Sequence, residues 1–154
     1  MNRAALILLA LSFAAPPLLA QQPKTADERA VWALIESSAT AEPKMMDDIV
    51  FVSGAYPKPM IGRNAIDPRD SSMANADTAM RRRSAVVQAV HPQRVVVSRS
   101  GDMAYGFALF DMKFDQPDTA GHIEHVSFSG SQLTVWRRVG GEWRLAASFN
   151  RPNE

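Results

Sequence analysis

The chain contains no cysteine. That absence excludes a thiol nucleophile, a disulfide staple and any thiolate metal site. Tyrosine occurs twice and histidine three times, so phenol or imidazole chemistry has few places to occur. Neither sign of charge is in excess, with 17 basic residues against 16 acidic ones. Nothing in that balance points to nucleic acid or an anionic membrane as partner. Arg81, Arg82 and Arg83 make a short basic run, which in a balanced chain reads as a solvated loop. A glycine-rich phosphate loop, a serine nucleophile elbow and zinc-type histidine spacing are all missing. The residues therefore call for no metal and no cofactor. Internal repeats and low-complexity tracts are absent as well.

A long apolar run occurs once, at the start. Met1, Asn2 and Arg3 form a short basic opening, residues 4–15 are almost wholly apolar, and Pro16 and Pro17 precede Leu18, Leu19 and Ala20. This order describes a secretory signal peptide over residues 1–20, cut after Ala20. The run is shorter than the ~20 residues a membrane span needs, and there is no cysteine to carry a lipid at the cut. The expected product is a periplasmic or secreted protein without stable membrane insertion. Residues 21–154 suffice for a single domain with a real core.

The rest of the chain divides into helix first and sheet afterwards. Thr25 and Glu28 have the spacing of a capping box. Ala30, Val31, Leu34 and Ile35 then recur at helical spacing beside Trp32. Pro43 suits the first turn of a second, very short helix ending near Met46. Residues 49–52 read as a strand, and 62–66 as a short helix. Residues 69–83 are weakly patterned, and some helix is expected there because long structureless loops are uncommon. Strands follow over 85–90 and 94–99, split at His91 and Pro92. A long strand over 103–114 is apolar on both faces, which implies cover on both sides. Strands over 123–128 and 132–138 are separated by Ser129, Gly130 and Ser131. The chain ends on a strand over 142–150. Gly140 and Gly141 join the last two strands, and such a pair can adopt the positive φ values of a tight hairpin. The order predicts an α+β architecture.

Several segments resemble one known family. They are Glu28-Arg29-Ala30-Val31-Trp32, Asp47-Asp48-Ile49-Val50-Phe51-Val52 and Gly62-Arg63-Asn64-Ala65-Ile66. Ser98-Arg99-Ser100-Gly101-Asp102-Met103-Ala104-Tyr105 follows, then Leu133-Thr134-Val135-Trp136-Arg137-Arg138 and Trp143-Arg144-Leu145. In that order the chain resembles the NTF2-like superfamily, specifically its SnoaL-like and DUF4440 group with ketosteroid isomerase relatives. The resemblance implies a cone, a strongly curved sheet packed around N-terminal helices, with homodimers formed through the outer sheet face. It does not imply one activity. Matched against the isomerases, the proton-moving aspartate falls at Ser53 and the oxyanion aspartate near Leu133. The helix tyrosine falls near Trp32. All three groups are replaced, which argues against isomerase chemistry of that kind.

Asp111 is the first candidate for chemistry. Alternation puts it on the face of Tyr105, Phe107 and Leu109, which the resemblance turns toward the cone interior. A carboxylate buried there would be a raised-pKa acid or base. The alternative is a strand-end residue emerging into solvent. His122 and Glu124 share a face and could join Asp111 across a hairpin. His125 faces the other way, so a regular strand cannot bring all three to one metal. Trp32, Phe51, Tyr105 and Phe107 are candidate apolar walls of a ligand pocket, with Thr134, Ser148 and Asn150 as its polar contacts. The leading expectation is an exported domain holding a small hydrophobic ligand. Proton-transfer catalysis led by Asp111 with His122 or Glu124 is one alternative. A non-catalytic interaction module is another.

Overall fold

A computed structural model of the chain describes residues 20–54, 58–66, 84–118 and 120–153. The expected signal peptide lies outside them apart from Ala20, and so does segment 69–83.

Helix α1 (Ala26–Ser37) begins at the expected cap. The Thr25 hydroxyl accepts from the Glu28 backbone N–H at 3.1 Å. The Glu28 carboxylate in turn accepts from the backbone N–H groups of Thr25 at 2.9 Å and Lys24 at 2.7 Å. Donors that a helix start leaves orphaned are thereby satisfied. The same two backbone N–H groups, Thr25 first, hold the Glu28 carboxyl below its ordinary pKa. Val31 and Ile35, one turn apart, are buried against the sheet.

That sheet has six strands: β1 (Met45–Ser53), β2 (Met60–Ile61), β3 (Ser84–Val97), β4 (Met103–Pro117), β5 (Ile123–Val139) and β6 (Glu142–Pro152). A one-turn helix, α2 (Arg63–Ile66), follows β2. The order across the sheet is β2-β1-β6-β5-β4-β3. β1 runs parallel to β6, and every other neighbouring pair is antiparallel. The α+β class stands, with a mixed sheet.

The expected cone does not. The sheet is neither closed nor strongly curled. Its edges are the two-residue β2 and the fourteen-residue β3, and so short a strand gives β3 little to pair with. β3 also carries Pro92, which has no N–H to offer a further partner and is tolerated because the strand is an edge. Local corrections have similar causes. The short helix expected at Pro43 gives way to β1, which starts at Met45 and passes Asp47 and Asp48 in a register shift. β3 runs unbroken through His91, absorbing the proline in a bulge between Pro92 and Arg94. β5 runs unbroken through Gly130, where a β-carbon would meet the Phe110 ring and the Arg151 carbonyl.

The long strand β4 decides which face of the sheet is the core. Ala104, Ala108 and Phe110 are buried, whereas Tyr105, Phe107 and Leu109 are exposed. The reason is size. A β-carbon on Gly106 would overlap Ile35 Cδ1 and stand 3.2 Å from Thr134 Oγ1. Small residues on this face let α1 settle onto the strand backbone, so Tyr105 and Phe107 point the other way. Burying a side chain such as Ile35 is worth about 1.5–3 kcal/mol.

The terminal hairpin is as expected: φ is 60° at Gly140 and 84° at Gly141. Trp136 and Trp143 flank it, both buried. Arg138 lies 4.4 Å over the Trp143 ring and pairs with Asp27 in the first turn of α1. This ties the hairpin to the helix start.

Gly106→Val is expected to lift α1 and destabilise the fold by about 1–3 kcal/mol, the usual cost of overpacking, read as a lower denaturant midpoint. Thr25→Ala should cost about 1 kcal/mol by the same measurement. Because the folded Glu28 pKa is depressed, its contribution is complete above the unfolded pKa. It disappears as pH falls through the folded value. Glu28→Gln should therefore flatten the acid limb of the stability curve, and an unchanged limb would contradict this role.

Candidate functional site

A cleft of about 180 Å³ lies on the helix-bearing face of the sheet. One wall comes from Ser38, just past α1, and from Met45, Ile49 and Phe51 of β1. Its floor is the sheet: Gln88 of β3, Gln132, Thr134 and Trp136 of β5, and Leu145 and Ser148 of β6. The i, i+2, i+4 spacing of Gln132, Thr134 and Trp136 places all three on one face.

The floor is ordered by its own hydrogen bonds. The Trp136 indole N–H donates to Thr134 Oγ1 at 2.9 Å, and that hydroxyl donates to the Gly106 carbonyl at 3.2 Å. The Gln132 amide donates to Ser148 Oγ at 3.2 Å, and Ser148 donates to Asn150 Oδ1 at 3.3 Å. Thr134 and Ser148 are almost wholly buried, so these partners prevent a desolvation penalty. The Gln88 side chain makes no hydrogen bond among the described residues. Its amide and the Gln132 carbonyl oxygen remain for a ligand.

Among the described lining residues there is no aspartate, glutamate, histidine, lysine or arginine. Such a surface can hold a molecule by apolar contact and amide hydrogen bonds. It supplies no group that changes protonation state near neutral pH.

The carboxylates and imidazoles picked out in the sequence stand elsewhere. Asp111 is on the open face of β4, its side chain 58% exposed, with Oδ2 3.3 Å from His91 Nε2. His122 is in the turn before β5, where the Asp118 carboxylate holds its ring at 3.3 Å and its backbone N–H at 2.8 Å. That backbone hydrogen bond is the main reason the Asp118 carboxyl sits below its ordinary pKa. Glu124 accepts from Gln116 at 3.3 Å. Asp111 is level with Ser129 and Glu124 with Gln116, five residues further along β4. An odd separation puts them on opposite faces, and about 17 Å apart along the strand. His125 pairs with Asp115 at 2.6 Å on the open face. No cluster of three or more metal-ligating side chains occurs among the described residues.

The candidate ligand contacts divide by face. Phe51, Thr134 and Ser148 line the cleft. Asn150 joins it indirectly, by accepting from Ser148. Trp32 packs against the core cluster beside it. Tyr105 and Phe107 lie on the opposite face, because the face that the resemblance turned inward is turned outward here. Gln88, Gln132, Met45 and Leu145 were not picked out as contacts. Gln132 had a signal, its even spacing from Thr134. Gln88 had none, since only sheet order brings β3 near the cleft.

No protein-family model and no curated protein matches the sequence. Solved structures do match in shape. A protein from Kribbella flavida is 17% identical over 83% of this chain and 91% of its own, with a TM-score of 0.62. A conserved protein from Planctomyces limnophilus is 21% identical over 83% and 97%, with a TM-score of 0.60. A protein of the NTF2-like family from Streptomyces avermitilis is 16% identical over 83% and 92%, with a TM-score of 0.50. The chain shares its fold with these three structures. At these identities the likeness concerns the fold alone, and the sheet here serves as a scaffold whose use its own side chains decide.

Thr134→Val would leave the Trp136 indole N–H buried without an acceptor. The expected cost is about 1–3 kcal/mol, measured by denaturation and accompanied by a shift in tryptophan emission.

Proposed function

We propose that this is an exported NTF2-like domain of the SnoaL-like and DUF4440 group that binds a small, uncharged, largely apolar molecule. The observation that carries the reading is the cleft on the helix-bearing face. It combines apolar walls with amides and hydroxyls and has no ionisable group among its described lining residues. A charged ligand would lose its hydration there without gaining a partner. An apolar ligand with one or two hydrogen-bonding groups would meet Met45, Phe51 and Trp136 with its body and Gln88 and Gln132 with its polar end.

Proton-transfer catalysis has less support. Asp111, His122 and Glu124 are separate from one another and lie outside the cleft lining. Export rests on the apolar leader, and periplasm or secretion follows from it. Among the described residues no helix is long and apolar enough to cross a membrane. A second copy of the chain is proposed as partner through the open face, where Tyr105, Phe107, Leu109, Leu133 and Phe149 are all exposed. Contiguous exposed apolar surface of this kind marks association sites.

Native mass spectrometry of protein purified from its own periplasm tests the binding role. The expected result is a retained adduct of a small neutral molecule. Gln132→Leu should then weaken its binding by about tenfold, the worth of one hydrogen bond. A consistently empty cleft would sink the reading.

A further inference from the structure

The lead-in to α1 is fastened to the edge of the sheet. The backbone N–H of Gln21 donates to the Gln93 carbonyl of β3 at 2.7 Å. That carbonyl is available for a reason of register. Pro92 is level with Ala108 of β4 and Arg94 with Phe107, so Gln93 is the extra residue of the bulge and has no counterpart in β4. Its side-chain amide donates to the His91 carbonyl at 3.0 Å and braces the bulge. Because β3 is an edge strand, a carbonyl left over there faces solvent or another chain. Gln21 and Gln22 are exposed, Pro23 is half-buried, and α1 starts at Ala26.

Resting on the proposed cut after Ala20, which makes this anchored residue the terminus, we infer that Gln21 of the exported chain closes to pyroglutamate and that the lactam stays fastened to the Gln93 carbonyl. The reaction needs only the residue itself. The Gln21 α-amine, partly neutral close to pH 7 unlike a lysine amine, attacks its own Cδ. The N–Cδ bond forms, the Cδ–Nε2 bond breaks, and Nε2 leaves as ammonia with a proton from the amine. Nothing is oxidised or reduced. A five-membered ring keeps the reacting atoms together, which replaces an encounter between molecules.

The product keeps the donor that holds the lead-in. With Ala20 attached, the Gln21 nitrogen is a planar amide bonded to Cα, to the Ala20 carbonyl carbon and to one hydrogen. In the lactam, Cδ takes the place of the Ala20 carbonyl carbon, and the nitrogen is again planar with one N–H. An uncyclised ammonium would bring a charge to a carbonyl whose partner is a single neutral N–H. Position 21 is thus the terminus that suits Gln93. A cut one residue later would make Gln22 the terminus and strip Gln93 of its donor. A cut one residue earlier would leave Ala20, which has no side-chain amide to close on. The fastened end covers part of the β3 edge and denies aminopeptidases a free amine ahead of the Thr25–Glu28 cap.

The test is to express the full-length chain with its leader in a Gram-negative host and purify it from the periplasm. It is then weighed intact, and its N-terminal peptide is sequenced by tandem mass spectrometry. Freshly purified protein should have the mass of residues 21–154 less about 17 Da, the weight of ammonia, with the loss located at Gln21. Gln21→Ala should be cut at the same place and show no loss. Pyroglutamyl peptidase should release residue 21 from the folded protein at least about fivefold more slowly than from a synthetic peptide of residues 21–30 with the same end, the worth of one hydrogen bond. An unmodified chain of residues 21–154 would overturn the cyclisation and leave export standing, and a terminus at another residue would overturn the site. Equal release from protein and peptide would overturn the fastening to Gln93. A chain that retains residues 1–20 would overturn export, and this inference with it.

Discussion

Ile35 of α1 occupies the space that a β-carbon on Gly106 would need, and the arrangement of the sheet follows from that contact. β4 carries apolar side chains on both faces, so hydrophobicity alone leaves two ways to lay it down. The face with Ala104, Gly106 and Ala108 lets a helix approach the backbone closely. The face with Tyr105, Phe107 and Leu109 would hold it away. With α1 seated at Gly106, Thr134 can donate to the Gly106 carbonyl and accept from Trp136. The inner end of the cleft is set by those hydrogen bonds.

The same contact separates two kinds of surface. In the cleft on the helix-bearing face, the polar groups are amides and hydroxyls, and those of Gln132, Ser148 and Asn150 are linked by hydrogen bonds. On the open face, aromatic and aliphatic groups are flanked by carboxylates, imidazoles and guanidinium groups. The two faces share strands, so their residues alternate along β4 and β5. A shift of one residue in either register would exchange them.

Stability at the two ends of α1 is organised differently. Its start is fastened by the Thr25–Glu28 capping box and by the ion pair from Asp27 to Arg138, so the helix and the terminal hairpin are joined through charge as well as packing. Past its last turn, Ser38 lies in the wall of the cleft. The firmly capped end is remote in sequence from the end that borders the site.

Local chemistry was legible in the chain. The capping box, the stripe of Val31 and Ile35, the Gly140–Gly141 turn and the alternation of the last strands all depend on neighbours within a few residues. They determined the α+β class and the resemblance to the NTF2-like fold. Pairing across the sheet was not legible. Alternation shows that Asp111 sides with Phe107, but not which side faces the helix, because both sides are apolar. That was decided by Ile35, some seventy residues away, finding the one position on β4 without a side chain. Sheet order likewise brought Gln88 to the cleft and left Asp111, His122 and Glu124 apart. The open, uncurled sheet depends on how its strands twist and meet together, a property that no single segment carries.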